Sequence, residues 1–254
     1  MKNALKIEIL KTKSSNDLNI ALILPLLFCV FTLMTLLSSR NPTGLVNGVS
    51  IIQTNIFNIW ALILLPICVV MIISGDYQQE KRALGLQSVL ANHWSLQQRY
   101  LAKSLKYWLL MLLAQTTLLV VVCISNLLTT RTVGNVALLS FASLVIWLGS
   151  WPLIVINMQL LRYLNAIMVI LLNLGISIMS AFMGIALTLR FWLDPWVLAL
   201  RTITLLRINP NGTVLSAQSN LTNNLSFIGW IVIVVVMWLI INYLLSLSNA
   251  RKVA

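Results

Sequence analysis

Six runs of about 20 apolar residues follow one another along this 254-residue chain, joined by short polar connections. That pattern decides the fold class. A hydrocarbon core roughly 30 Å thick takes about 20 helical residues to cross, and each helix must satisfy its own backbone polar groups on the way. The chain is therefore expected to be an all-α polytopic membrane protein, one transmembrane domain over residues 1–254 with little mass outside the bilayer. The expected spans are residues 19–38, 56–74, 107–128, 136–158, 164–189 and 227–247. A composition of 59% hydrophobic and 9% charged residues agrees. Residues 191–206 are apolar as well, but Arg190, Asp194, Pro195, Arg201 and Arg207 argue against a seventh crossing.

Lys and Arg set the orientation, because positive loops stay on the cytoplasmic side. With both ends inside, twelve of the basic residues fall in the N-terminal arm (1–18), the loop 76–106, the turn at Arg162 and the C-terminal tail, against five outside. Both termini are expected in the cytoplasm. The net charge of +12 is then explained by topology and anionic head groups, with no nucleic acid as partner. Cys29, Cys68 and Cys123 all fall within spans, without paired spacing, and read as small apolar residues.

Catalysis finds few candidates. The chain has one histidine, His93, and five acids (Glu8, Asp17, Asp76, Glu80 and Asp194), none in the middle of an expected span. This removes zinc-protease, paired-aspartate and proton-relay readings. No Gly-x-x-x-x-Gly-Lys-Ser/Thr loop is present, so uphill transport would draw its energy from another subunit. No catalytic residue, metal ligand or cofactor of its own is expected.

Four features remain. Residues 76–106 form an inner loop charged at both ends, with an amphipathic stretch of Leu84, Leu86, Val89, Leu90 and Trp94 between; it suits either the bilayer interface or a groove on a cytoplasmic partner. In the N-terminal arm, Leu5, Ile9 and Leu10 lie near one helical face with lysines around them, the pattern of a helix lying along the inner leaflet. The fifth span carries Asn173, Ser177, Ser180, Ala181 and Gly184, small and amide residues that let helices approach closely, within the subunit or against a second one. The outer segment 190–226 holds Asp194, Pro195 and Trp196, then Asn209, Pro210, Asn211 and Gly212, which read as a re-entrant or interfacial hairpin. Pro152 is expected to kink the fourth span beside Trp147 and Trp151.

The opening run Leu5-Lys6-Ile7-Glu8-Ile9-Leu10-Lys11-Thr12-Lys13 before a span with Pro25, the Glu80…Gly85…Lys103 inner loop, and the Asp194-Pro195-Trp196 and Asn209-Pro210-Asn211-Gly212 pair carry a resemblance. The chain resembles the membrane subunits of type 2 ABC exporters, and more narrowly the permeases of lantibiotic self-immunity transporters. That resemblance covers nearly the whole chain. It implies a complex with two copies of a cytoplasmic ABC ATPase and a sister permease, ATP and Mg being bound by the ATPase. Glu80, Gly85, Leu86, Val89, Leu90 and Trp94 would then belong to the coupling helix seated on the ATPase. The implied substrate is a cationic lantibiotic-type peptide, expelled from the plasma membrane of a Gram-positive bacterium for self-protection. A permease for another peptide, drug or lipid, or a structural membrane subunit without a pathway, is the alternative.

Overall fold

A chain this apolar folds by stacking long helices, and about 91% of the described residues are helical. The computed structural model describes residues 2–12, 15–38, 45–46, 49–82, 95–183, 194–206, 215 and 224–251. A short helix α1 (Lys2–Lys11) precedes α2 (Asp17–Ser38). A two-stranded ladder follows, β1 (Leu45–Val46) antiparallel to β2 (Val49–Ser50). Ser50 then starts α3 (Ile51–Ile59) through a capping box: its hydroxyl accepts from the Gln53 backbone N–H, and the Gln53 side chain accepts from the Ser50 N–H.

The second apolar run becomes one continuous rod of α3, a π-turn (Trp60–Leu64) and α4 (Leu65–Arg82). The widened turn has a cause in the sequence. Pro66 has no N–H to offer the carbonyl four residues back, and its ring would strike it. The Leu65 N–H instead reaches the Trp60 carbonyl, five residues back. Beyond α4, α5 (Leu96–Thr130) runs for 35 residues, about 52 Å at the α-helical rise. Arg131 ends it in the left-handed region (φ 58°) before Gly134 turns the chain (φ 79°).

α6 (Val136–Gly149) and α7 (Trp151–Tyr163) share the fourth apolar run, broken at Ser150. The break falls beside Pro152, which leaves the Leu148 carbonyl without its regular donor. At the break the Trp147 carbonyl accepts from the Ser150 backbone, the Ser150 hydroxyl and the Trp108 indole. Trp108 and Trp147 stack with ring centroids 4.1 Å apart, and Trp151 meets Trp108 edge-on at 5.2 Å. α8 (Ala166–Met183), a short α9 (Pro195–Arg201), a 3-10 turn (Thr202–Leu206) and the final α10 (Asn224–Arg251) complete the described chain.

Five of these helical stretches are long and apolar enough to cross a membrane: Asp17–Met34, Ile52–Glu80, Leu96–Thr130, Val136–Tyr163 and Gly229–Ser248. A shorter apolar helix covers Ala166–Phe182, within the fifth expected span. The core lies where α2, α4, α5 and α7 meet, around Phe28, Phe57, Trp60, Leu65, Met111, Leu118 and Ile154. Conversely, α2, α8 and α10 turn large apolar side chains outward, among them Leu27, Leu33, Leu171, Met179, Ile233 and Leu244. Apolar surface this continuous is foreign to a water-soluble monomer and ordinary for one immersed in lipid. The described residues are those of a predominantly helical, polytopic membrane protein.

Candidate functional site

Eight charged side chains gather where α1, α2, α4 and α5 meet. α4 extends past its apolar run to carry Asp76 and Glu80 one turn apart, and α5 begins early, carrying Arg99, Lys103 and Lys106 on one face. α1 lies across this pair of helices, burying Ala4, Glu8 and Thr12 at successive four-residue steps. The first residue of α2, Asp17, enters from the side. Four of the five acids of the chain therefore meet four bases, Lys11, Arg99, Lys103 and Lys106.

At the deepest point Lys106, 1% exposed, bridges Asp17 (3.2 Å) and Asp76 (2.8 Å). Asp76 also accepts from the Tyr107 hydroxyl and lies 3.7 Å from Lys103. Nearer the surface, Glu80 receives Arg99, Lys103 and Lys11, while Glu8 receives Lys11 at 2.9 Å and lies 3.6 Å from Arg99. Buried ions survive only when each is matched, and this set is matched sign for sign. Gly75 makes the approach of α2 possible: a Cβ there would stand 2.9 Å from Asp17 Oδ1.

Oxygens of Glu8, Asp76 and Glu80 lie within 4.8 Å of one another, near enough to share a cation. The donor set does not suit one. Ammonium and guanidinium groups already contact these carboxylates, and a divalent ion would bring two more positive charges into a balanced cluster. The arrangement is a lock that fixes α1, α2, α4 and α5 to one another. It also stands at both roots of residues 83–94.

The buried face of the N-terminal helix is Ala4, Glu8 and Thr12, whereas Ile7, Ile9 and Leu10 are exposed. The apolar residues are left free to meet lipid, and the one acidic residue turns inward to its counter-ions. Of the residues expected to face a partner, Glu80 belongs to the ionic lock; Gly85, Leu86, Val89, Leu90 and Trp94, together with His93, lie outside the described residues.

A second polar assembly surrounds α9. Five consecutive residues of this seven-residue helix, Val197–Arg201, are each no more than 3% exposed. Successive helical positions turn by about 100°, so the helix is enclosed on every side, by α6, α7, α8 and the π-turn. Asp194 caps it, accepting from the Trp196 N–H at 2.9 Å, and also accepts from Ser180 at 2.6 Å. The Trp196 indole donates to Asn173 Oδ1 at 2.8 Å, and Asn173 donates to Asn157 at 2.7 Å. Arg201 rides at the end of α9 and is 3% exposed.

Asn173, Ser177 and Ser180 are thus brought together on the α8 face toward α9, with Ala181 half-buried against the core. Asp194, Pro195 and Trp196 open α9. Gly184, Pro210, Asn211 and Gly212 lie outside the described residues. The sequence reading missed the ionic lock because hydropathy closes a span at its first charge. The signal was present: Asp76/Glu80 and Arg99/Lys103/Lys106 recur at helical spacing immediately outside two apolar runs. No family model, no curated protein and no solved structure matches this chain.

Proposed function

We propose that this chain is the membrane-spanning permease subunit of an ATP-driven exporter, of the kind that expels lantibiotic-type peptides for self-protection. In this reading six helices cross the plasma membrane of a Gram-positive bacterium and both termini face the cytoplasm. The segment from α8 to α10 enters the membrane again from outside. A cytoplasmic ABC ATPase, present in two copies, supplies the power, and a sister permease completes the pathway. The chain itself performs no covalent chemistry and binds ATP and Mg only through that partner.

The observation that carries this reading is the ionic lock at the roots of residues 83–94. A loop that receives thrust from a nucleotide hydrolase needs a stiff base; otherwise the motion dissipates in the loop. Glu80 with Arg99 and Lys103, and Asp76 with Lys106, tie the two helices that flank the loop. Glu8 and Asp17 add α1 and α2 to the same body. A push on 83–94 would therefore turn four helices together, the rigid-body step that switches such transporters. The opening run 5–13 and the Glu80…Gly85…Lys103 loop support the wider exporter-permease resemblance, and Asp194-Pro195-Trp196 followed by Asn209-Pro210-Asn211-Gly212 supports the narrower one.

Deleting the gene in its native host tests the reading. The mutant should become more sensitive to the host's own antimicrobial peptide, and restoring the wild-type chain should reverse this. A Leu86→Asp/Leu90→Asp chain should reach the membrane yet fail to restore resistance. Unchanged sensitivity on deletion contradicts the proposal.

A further inference from the structure

α1 is joined to the bundle by charge and by little else. Its buried residues, Ala4, Glu8 and Thr12, include no large apolar side chain. Among the described residues, none of α1 belongs to the hydrophobic core. Its ties to the body are ionic: Glu8 to Arg99 on α5 at 3.6 Å, and Lys11 to Glu80 on α4 at 3.3 Å. The Lys11 side chain is 35% exposed, and ion pairs open to water hold weakly. A helix of 10 residues is also too short to persist by itself in water. α1 therefore needs a second support, and its outward side shows of what kind. Ile7, Ile9 and Leu10 are exposed there, with Lys6 exposed among them. Both acids of residues 1–18, Glu8 and Asp17, are turned into the lock, so the charge that α1 shows outward is basic.

We propose that the outward face of α1, Lys6 with Ile7, Ile9 and Leu10, binds anionic phospholipid, and that this contact keeps Glu8 seated in the ionic lock. Three apolar side chains bury too little area to anchor a helix by insertion alone. A basic group beside them adds the attraction of anionic head groups. The lysine stem stays with the apolar residues while its ammonium reaches phosphate. The bilayer is at hand, because α2, next in the chain, begins its own exposed apolar side at Leu18. Lipid charge thereby acts on the lock: with the face occupied, Glu8 stays with Arg99; with it empty, α1 is held by its ion pairs only. The inference needs a charged bilayer and does not rest on the exporter reading.

The test uses the full chain in nanodiscs of phosphatidylcholine, with or without phosphatidylglycerol. Cys29, Cys68 and Cys123 are replaced by alanine, and one cysteine is placed on the buried face of α1, as Ala4→Cys or as Thr12→Cys. An uncharged, water-soluble maleimide reads whether that face is covered. Each rate is normalised to that of Tyr163→Cys, an exposed position. With phosphatidylglycerol both α1 cysteines should be protected, and in phosphatidylcholine alone both should label. Adding Lys6→Gln in the phosphatidylglycerol discs should raise both rates about fivefold, the worth of one lysine at an anionic surface. Lys6→Arg should leave them unchanged. Ser246→Cys, buried on α10, should be indifferent to lipid charge, which separates an effect on α1 from a general loosening of the bundle.

Equal protection in the two lipids would overturn the proposal, since the ion pairs would then hold α1 unaided. Equal labelling in the two lipids would overturn it as well and leave the face to a protein partner. So would a Lys6→Gln chain as well protected as its parent, or a Ser246→Cys response as large as that of α1. Labelling needs neither ATPase nor cargo, so none of these outcomes bears on the exporter reading.

Discussion

Lys106→Met is the most informative single perturbation. Lys106 joins two carboxylates that are essentially unexposed, Asp17 at 0% and Asp76 at 1%. Removing one member of a buried ionic set costs about 3–5 kcal/mol, because the remaining charge stays buried and uncompensated. The structure says which charge that is. Asp76 keeps Lys103 at 3.7 Å and the Tyr107 hydroxyl. Asp17 has no other salt-bridge partner among the described residues, and its Oδ1 makes no hydrogen bond. The penalty therefore falls on Asp17. For a domain of this size each kcal/mol moves the melting temperature by about 2–4 °C, so Lys106→Met should lower it by roughly 6–20 °C. The assay is thermal unfolding of the detergent-solubilised chain, followed by size-exclusion of a fluorescent fusion. Adding Asp17→Asn to Lys106→Met should recover more than half of the loss, whereas adding Asp76→Asn should recover little. Equal rescue by both, or a Lys106→Met shift of less than about 2 °C, would refute the assignment of Lys106 as the counter-ion of Asp17.

Other outcomes follow from the same packing. Gly75→Ala would place a methyl group 2.9 Å from Asp17 Oδ1; it should cost about 1–3 kcal/mol as overpacking, read as a lower melting temperature, and an unchanged melting temperature would mean that α2 does not approach α4 this closely. The Asn157–Asn173 pair joins α7 to α8; a double-mutant cycle with alanine should give a coupling of about 0.6 kcal/mol and at most about 1.7, and zero coupling would mean the amides do not meet. Gln115→Leu strands the Trp60 indole N–H, now donating at 2.9 Å in the core; a loss of about 1–3 kcal/mol is expected, and Trp60→Phe in the same chain should cancel most of it. For topology, tags at both termini should be protected from protease in intact cells, and a tag that is cut would reverse the orientation.

Much of the fold was legible in the sequence because lipid makes a simple demand: long apolar runs become helices. Even the break near Pro152 could be read, since proline removes a donor wherever it stands. The ends of the helices were less legible. Hydropathy closed the second run at Ser74 and opened the third at Tyr107, yet the helices run to Arg82 and back to Leu96. Charges stop a span only when they are alone; Asp76, Glu80, Lys103 and Lys106 neutralise one another, so the helices continue. The inward role of Glu8 on α1 was not legible, because its counter-ions Lys11 and Arg99 include one contributed by a helix far along the chain. The α8 residues Asn173, Ser177 and Ser180 were visible as a pattern, whereas their neighbour α9 was not, because its enclosure arises from contacts between distant segments that no local periodicity encodes.

ATP hydrolysis by the chain purified from its native membrane, with and without its partners, bears most directly on the claim that this subunit is an unpowered wall driven through a rigid ionic base. Hydrolysis sensitive to vanadate should accompany the wild-type complex, disappear from the Leu86→Asp/Leu90→Asp complex although its melting temperature is unchanged, and be absent from the chain alone. ATP turnover by the isolated chain, or a native complex that holds no nucleotide hydrolase, would contradict it.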